Sequence, residues 1–460
     1  MVFSSLPFLF LFLPAVLAGY FLLPFRFRNV LLLAANLIFY AYGEPIYVLL
    51  MLGSIAVNFF AALFIEKMKR VQVKKIALIL SVALNLAALG WFKYAGFLID
   101  ALRRVSWLVW VPSVSVVLPI GISFYTFQAM SYVVDVYRGD CRASGNFLDF
   151  AAYISLFPQL IAGPIVRYSD VALQLRQRQH TSEKLSWGVR LFVIGLAKKV
   201  LLANQFAQLW EQVASDPLGA GAAACWLGMA AFALQIYFDF GGYSDMARGL
   251  GAMFGFDFCI NFNYPYVSRS ITEFWHRWHI SLSTWFRDYV YIPLGGSRKG
   301  VVRTVCNLLV VWMLTGFWHG AGWNFLLWGL YYGILLVLEK FVFRKYLDAL
   351  PHAVQWLYTM VFVLFGWILF ASSDLNHALL YFRGLFATSS SSDLLSLIGW
   401  VPLFVVGCAA CCPFVSDWYK RWEHMGFMPV LETGLCVLAL ILVVASLVSG
   451  SYNPFLYFRF

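Results

Sequence analysis

Charged residues are scarce in this sequence. Asp, Glu, Lys and Arg make up 12% of its 460 residues, hydrophobic residues make up 62%, and the mean hydropathy is +0.76. A soluble globular domain has about 25% charged residues. A water-exposed surface on a protein of this length needs more charged residues than the sequence has. Lipid must therefore solvate much of the protein's surface. The composition therefore excludes a soluble protein and predicts an integral membrane protein that crosses a bilayer many times.

Acidic residues are fewer than basic ones, with 22 Asp and Glu against 33 Lys and Arg, and the formal net charge is +11. An excess of basic charge is also typical of nucleic-acid-binding proteins. Here the basic residues lie in short loops between apolar runs, and the densest group falls within residues 67–75. This distribution follows the positive-inside rule of membrane proteins. We therefore expect these basic residues to lie beside a lipid bilayer, and we expect no binding of nucleic acid.

Paired-cysteine and metal-ligand spacings are absent from the sequence. Three of the eight cysteines fall in the apolar run that contains residues 408–412, which is typical of reduced packing cysteines. His276 and His279, three residues apart, could bind a metal together with His319. No carboxylate or cysteine stands at ligand spacing and there is no HExxH motif, so we expect no metal site.

Internal repeats, low-complexity tracts and long polar segments are also missing. We therefore predict an all-α, polytopic membrane protein of about 11–13 transmembrane or re-entrant helices in one domain, 1–460. Within it we distinguish N-terminal helices (1–110), a central core (111–340) and C-terminal helices with a tail (341–460). The first apolar run has no positive charge before it, so we expect a membrane helix rather than a signal peptide. The apolar runs lie at 6–25, 29–43, 46–65, 76–97, 116–137, 147–163, 187–210, 222–238, 304–338, 355–372, 394–414 and 430–449.

The run from Thr304 to Leu338 contains 35 residues without Asp, Glu, Lys or Arg. As one helix it would be about 52 Å long, against about 30 Å of hydrocarbon. It must therefore break, and Gly316, Gly320 and Gly322 mark where, with His319 among them. Irregular backbone at membrane depth is tolerated only where protein or a water-filled cavity surrounds it. The sequence thus predicts an imidazole beside a cavity.

Residues 271–300 read ITEFWHRWHISLSTWFRDYVYIPLGGSRKG. At helical spacing Glu273, His276, Ser283 and Arg287 lie near one face, and aromatic residues populate another. The pattern is typical of an amphipathic helix that either lies along the membrane interface or dips into a cavity. The sequence leaves both interpretations open.

Asp239 and Asp245 follow an apolar run and flank a Gly pair in LQIYFDFGGYSDM. Carboxylates at membrane depth are functional or paired within the helix bundle. A structural ion pair with Arg248 is one interpretation, and a functional role is the other.

The chain resembles the membrane-bound O-acyltransferase superfamily. The resemblance rests on GISFYTFQAMSYVVDVYRGD, FPQLIAGPIVRY, YFDFGGYSDMARGLG, ITEFWHRWHISLSTWFRDYVYIPLGG and TGFWHGAGWNFLLWG, and also covers the opening and closing segments. Within the superfamily the chain is most similar to the bacterial alginate O-acetyltransferase subfamily. His276 stands where many relatives have Arg, which favours a catalytic role for His279 over one for His276.

The resemblance implies an enzyme that moves an acyl group from the cytoplasmic side towards an extracytoplasmic acceptor. The essential histidine of the family corresponds to His319, and its second histidine to His279. A neutral imidazole, with a pKa of about 6.5, can take the proton of an attacking hydroxyl. Acetyl-CoA is the expected donor, with no resident cofactor. The expected phosphate-binding residues are Arg287, Arg298, Lys299 and Arg303, although these also suit plain topology signalling.

The closing segment FLYFRF has the pattern F-x-Y-x-x-F. It resembles the C-terminal motif of the small membrane peptide that partners the teichoic-acid D-alanylation acyltransferase, in which the tyrosine is thought to carry the acyl group. By that analogy Tyr457 is an acyl carrier. The alternative is an aromatic anchor at the membrane interface.

The function expected from the resemblance is O-acetylation of a secreted polysaccharide, alginate- or cellulose-like, at the bacterial inner membrane. The expected partners are periplasmic or membrane-anchored acetyltransferases and a polysaccharide synthase complex. D-alanyl or other acyl transfer to a cell-envelope polymer is the alternative within the superfamily. A transporter or a non-catalytic assembly subunit is the alternative from another class, although the paired repeats of many transporters are not evident.

Overall fold

The computed structural model describes residues 1–105, 107, 110–114, 116–388 and 397–450, and within these ranges all regular structure is helical. The principal helices are α1 (Leu13–Leu22), α2 (Phe25–Ala41), α3 (Tyr47–Lys67), α4 (Val71–Arg103), α5 (Ile122–Arg138), α6 (Phe147–Ile154), α7 (Phe157–Leu160), α8 (Tyr168–Arg176), α9 (Ser182–Ala197), α10 (Asn204–Ser215), α11 (Pro217–Met253), α12 (Ile271–Arg277), α13 (Ile280–Phe286), α14 (Val301–His319), α15 (Trp323–Leu338), α16 (Arg344–Asp348), α17 (His352–Ala371), α18 (Leu375–Gly384), α19 (Val401–Ala410), α20 (Phe414–Trp422) and α21 (Met428–Val448). Single π-helical turns at Phe8–Phe12, Lys198–Ala203, Arg287–Tyr291 and Glu339–Phe343 adjoin several of them.

Seven helical segments among the described residues are long and apolar enough to cross a membrane. The α19–α20 pair, bent by 62°, makes an eighth if it is counted as one broken span. The predicted all-α, polytopic membrane fold is thus confirmed, and the other apolar runs form shorter or broken helices. The seven segments are Tyr47–Lys67, Val71–Arg103, Pro217–Met253, Val301–His319, Trp323–Asp348, His352–Ala371 and Met428–Val448.

The chain divides into two compact units, of which unit 1 comprises Met1–Phe192 and Met246–Cys259. In this unit the buried Asn58 of α3 and Asn85 of α4 exchange two side-chain hydrogen bonds, of 3.1 and 2.8 Å, and Ser81 donates a third to Asn58 at 3.1 Å. Lipid offers these amides no partner, so the hydrogen bonds hold the two helices together.

The apolar run 147–163 does not form one continuous helix. It contains α6 and then α7, which has Pro158 in its first turn. Proline lacks the N–H of a helix interior and clashes with the preceding turn, so a new helix must begin there. Asn36 stabilises the interruption, because its Oδ1 accepts the backbone N–H of Phe157 at 3.0 Å.

Unit 2 comprises Val193–Asp245 and Ile260–Phe460. Lys199 pairs with Asp239 and Lys198 with Asp245, each at 2.7 Å, and the first pair is almost fully buried. The two carboxylates are therefore ion-paired with consecutive lysines of a π-helical turn. The guanidinium of Arg248, the partner that the sequence suggested, lies 5.5 Å from the ring centroid of Trp187.

The uncharged run 304–338 breaks into α14 and α15, as predicted, and the break falls at residues 320–322. Gly316 does not mark the break, because it lies inside α14. A Cβ on Gly316 would stand 2.2 Å from the carbonyl oxygen of Phe325 and 3.1 Å from Cα of Gly329. Gly316 and Gly329 thus let the two antiparallel helices approach closely.

Candidate functional site

The segment 271–291 folds as two short helices, α12 and α13, separated at His279 and followed by the π-helical turn Arg287–Tyr291. His279 has φ +44° and ψ +53°, a left-handed conformation that interrupts the helix. The predicted single amphipathic helix is therefore wrong. Because the chain breaks at His279, Glu273 and His276 on α12 do not form one continuous helix face with Ser283 and Arg287, and Glu273 pairs with Arg277 at 2.9 Å.

The side chain of His279 is buried and contacts aromatic rings. Its ring centroid lies 4.6 Å from that of Phe240, edge to face, and 6.4 Å from that of Phe262, nearly parallel. Its Nδ1 lies 3.2 Å from Oδ1 of Asn261. His279 falls outside the seven candidate membrane spans. Burial lowers its pKa below the ordinary value, so the imidazole is neutral at physiological pH.

His319 is the last residue of α14, at the edge of the break, and is 6% exposed. The rings of Trp318, Trp328 and Phe370 stand edge to face around it, at centroid distances of 4.9, 5.1 and 5.2 Å. Trp318 also contacts His279, at 6.1 Å. The fold therefore brings both predicted histidines into contact with one tryptophan, Trp318.

Both histidines line one cavity in unit 2, with a volume of about 690 Å³. That volume lies within the range of about 300–1,000 Å³ that is typical of small-molecule sites. The segment 270–291 supplies much of the wall, and α14, the end of α15, the turn Glu339–Phe343 and α16 supply the rest. The titratable residues of the lining are His276, His279, Arg287, Tyr291, His319, Glu339, Lys340, Arg344 and Asp348.

The predicted phosphate-binding residues fall into two groups. Arg287 lines the cavity, with 61% of its side chain exposed and an ion pair to Asp288 at 2.7 Å. Arg298, Lys299 and Arg303 are exposed but do not line it. The predicted acyl carrier, Tyr457, lies outside the described residues.

Sequence reasoning missed four charged residues of the cavity lining, Glu339, Lys340, Arg344 and Asp348. The buried carboxylate of Glu339 accepts the backbone N–H groups of Ile271 and Thr272, at 2.8 and 3.0 Å, and so fixes the start of α12. Lys340 and Arg344, close behind it in the chain, are exposed. Their only signal in the sequence is that they end the uncharged run 304–338.

Comparison with known proteins gives the family. The model of the MBOAT, membrane-bound O-acyltransferase family matches residues 60–382. The chain is a membrane-bound O-acyltransferase. It is 40% identical to the probable alginate O-acetylase AlgI of Azotobacter vinelandii, over the whole of both chains. It is 44% identical to the same-named protein of Pseudomonas aeruginosa, over 84% of this chain and 75% of that one. It is 35% identical to the peptidoglycan O-acetyltransferase of Helicobacter pylori, over 84% of this chain and 80% of that one.

The resemblance deduced from the motifs is thereby confirmed, and this acyltransferase is a multi-pass protein of the bacterial inner membrane. Its cavity offers two buried imidazoles, those of His279 and His319. Across the described part of the chain, no group of three or more His, Cys, Asp and Glu residues is arranged to hold a metal ion. The chemistry that this acyltransferase's own side chains offer is proton transfer by a neutral imidazole that aromatic rings surround.

Proposed function

We propose that this acyltransferase takes an acetyl group from a cytoplasmic donor and moves it across the inner membrane for O-acetylation of a secreted, alginate- or cellulose-like polysaccharide. The observation that carries the proposal is the single cavity lined by both His279 and His319. The printed names of its relatives, alginate O-acetylase and peptidoglycan O-acetyltransferase, support an acetyl group and a saccharide acceptor.

In the proposed reaction His319 is the general base. Its imidazole takes the proton of the acceptor hydroxyl, and the hydroxyl oxygen attacks the carbonyl carbon of the thioester. The carbon–sulfur bond then breaks, an ester forms, and the thiol leaves with the proton that His319 received. His279 orients the reacting groups.

Acetyl-CoA is the proposed donor. A cavity of about 690 Å³ with Arg287, Lys340 and Arg344 in its lining suits an acetylated pantetheine arm whose phosphates remain near exposed cations. The proposed partners are periplasmic or membrane-anchored acetyltransferases and a polysaccharide synthase complex. Tyr457 is proposed to carry the acetyl group between the cavity and these partners.

The test uses the purified protein in proteoliposomes that contain acetyl-CoA labelled in the acetyl carbon, together with the acetyl content of the secreted polymer in a deletion strain. We expect donor turnover that requires His319, and an unacetylated polymer in the deletion strain. Transport of intact donor without thioester cleavage would favour a transporter. Turnover of a D-alanyl donor but not of acetyl-CoA would favour the other acyl transfer.

A further inference from the structure

Asn261 lies in the segment between α11 and α12, buried at 1% exposure, and is clamped to the chain around His279. Its carbonyl oxygen accepts the backbone N–H of Ile280 at 3.0 Å. Two residues further on, the N–H of Asn263 donates to the carbonyl oxygen of Arg277 at 2.9 Å. These backbone bonds on both sides of His279 fix the position of the Asn261 side chain relative to the imidazole.

The orientation of the Asn261 amide follows from its donors. One amide atom accepts the backbone N–H of Ser281 at 3.2 Å and the hydroxyl of Ser281 at 2.9 Å. A backbone N–H can only donate, so this atom is the oxygen, Oδ1, and not the NH₂ group. The same oxygen lies 3.2 Å from Nδ1 of His279. Since an oxygen acceptor faces Nδ1, Nδ1 must carry the proton.

The other ring nitrogen of His279 then has only a lone pair. Nε2 is buried, and within the described part of the chain it has no hydrogen-bond partner. The ring cannot turn over easily, because Phe240 stands edge-on at 4.6 Å and Phe262 lies nearly parallel at 6.4 Å. A buried acceptor without a partner is costly and is rarely kept without a role.

We propose that Asn261 is a positioning residue that holds His279 as the Nδ1-protonated tautomer and so keeps Nε2 as a hydrogen-bond acceptor for a donor that enters the cavity. This assignment excludes Nε2 of neutral His279 as a hydrogen-bond donor to an oxyanion. Nε2 instead accepts a hydrogen bond from an N–H or O–H group of a molecule bound in the cavity, while His319 takes the proton of the acceptor hydroxyl. The role of His279 Nε2 in catalysis rests on the proposed function. The assignment of the His279 tautomer does not.

The tautomer is measured directly by nitrogen NMR of [¹⁵N]histidine-labelled protein in bilayers, with the His279 signals identified by their loss in His279→Gln. At neutral pH we expect a protonated Nδ1 and a bare Nε2. Asn261→Ala should transfer a substantial population to the Nε2-protonated form. Asn261→Asp keeps an acceptor and Ser281→Ala keeps the backbone donor, so both should retain the wild-type tautomer. A bare Nδ1 in the wild-type protein, or an unchanged tautomer in Asn261→Ala, overturns the proposal.

The kinetic readout separates positioning from folding. Asn261→Ala should lower kcat for acetyl transfer by about 10- to 100-fold, as the loss of other histidine-orienting partners does, with little change in the KM for acetyl-CoA. Asn261→Asp should keep most of the rate, but the acid limb of its pH profile should move to higher pH, because the carboxylate stabilises the imidazolium. A wild-type kcat in Asn261→Ala, or a pH profile of Asn261→Asp whose acid limb is unshifted, contradicts the positioning role. If the wild-type protein transfers no acetyl group while the tautomers behave as expected, the proposed function fails and the assignment of Asn261 stands.

Discussion

At the scale of single residues, His319 carries the strongest expectation for activity. General-base contributions are roughly 10²–10⁴-fold, so His319→Ala should lose most or all detectable acetylation. His279→Ala should impair transfer less completely. The measurement is the acetyl content of the secreted polymer in a deletion strain that expresses each variant at matched membrane levels. The exposed His352 is the matched control, and its Ala variant should behave as wild type. Full acetylation by His319→Ala would instead support a non-catalytic assembly subunit.

His180 of unit 1 is a second histidine whose tautomer the structure defines. The hydroxyl of Tyr20 donates to the carbonyl oxygen of Phe254 at 2.7 Å, so Nε2 of His180, 2.9 Å from that hydroxyl, must be a donor. Nδ1 is then an acceptor, 3.4 Å from the guanidinium of Arg28. Burial lowers the pKa of His180, and so do the charges of Arg28, Arg178 and Lys184.

This environment predicts a pH dependence of stability. Because the folded-state pKa is lowered, the unfolded chain binds the proton more readily once the pH falls below the ordinary imidazole pKa of about 6.5. The folded protein should therefore lose stability as the pH falls through that value, and keep it above. His180→Gln should show a smaller fall in Tm between about pH 7.5 and about pH 5.5 than the wild type in detergent. An equal fall in Tm in the wild type and in His180→Gln would show that another group causes the acid sensitivity. The control is the exposed His352→Gln, in which the fall in Tm should equal that of the wild type.

At the scale of helices, the close approach of α14 and α15 depends on Gly316 and Gly329. A Cβ at Gly329 would stand 2.3 Å from the carbonyl oxygen of Trp312, as close as the one at Gly316 would stand to that of Phe325. Backbone atoms cannot move aside as a flexible side chain does, so Gly316→Ala should destabilise the protein by about 1–3 kcal/mol. It should also lower activity, because α14 carries His319. Thermal unfolding in detergent tests this, with Gly434→Ala, which has nothing within 4 Å, as control.

The two breaks beside the site differ in how far the sequence predicted them. The interruption between α14 and α15 follows from length alone, because 35 uncharged residues exceed the thickness of a bilayer. The interruption at His279 has no local signal, because the residues around it keep a helical pattern of apolar and polar side chains. The backbone that follows His279 is tied to Asn261, 18 positions before His279, because the N–H groups of Ile280 and Ser281 both donate to Asn261. Such a non-local hydrogen bond is invisible to a pattern that is read along the sequence.

At the scale of the whole molecule, scarcity of charge sufficed to predict the membrane fold, and ordered motifs sufficed to predict the family. The site could be predicted only in part. Its two histidines lie in sequence motifs that could be recognised. Asn261, Lys340 and Arg344 lie at the site only because of tertiary contacts, which no motif indicates. The proposed transfer also needs a route from the cavity to the polymer, and Tyr457 is the residue of this chain proposed for it.

The carrier role of Tyr457 predicts a clear outcome. Tyr457→Phe keeps the aromatic ring and removes only the hydroxyl that would form the ester. The variant should insert and turn over donor to a limited extent, but should abolish polymer acetylation. An anchor at the membrane interface would tolerate the change, so normal acetylation eliminates the carrier role. Cysteine labelling that places residue 457 in the cytoplasm would also contradict the carrier role.

The distribution of basic residues predicts how the donor binds. The sequence motivates neutralising Arg298, Lys299 and Arg303, which should weaken acetyl-CoA binding in a way that added salt mimics. The cavity lining adds Lys340 and Arg344, both exposed and close to the site. An exposed ion pair contributes roughly 0.2–1 kcal/mol, so Lys340→Gln with Arg344→Gln should weaken binding by about two- to thirtyfold at low salt.

Equilibrium binding of acetyl-CoA in detergent, at low and at high ionic strength, distinguishes a local phosphate site from a general effect of charge. Lys420→Gln with Arg421→Gln removes the same net charge from α20, whose exposed cations do not line the cavity. If binding depends on cations at the cavity, this control should bind as the wild type, and the Lys340 and Arg344 variant should lose most of its salt dependence. Equal losses in the control and the cavity variant would show that net charge alone attracts the donor. Unchanged binding in both the Arg298, Lys299 and Arg303 variant and the Lys340 and Arg344 variant would leave these basic residues with a role in topology alone. A multiply phosphorylated donor bound near them would respond to their charge.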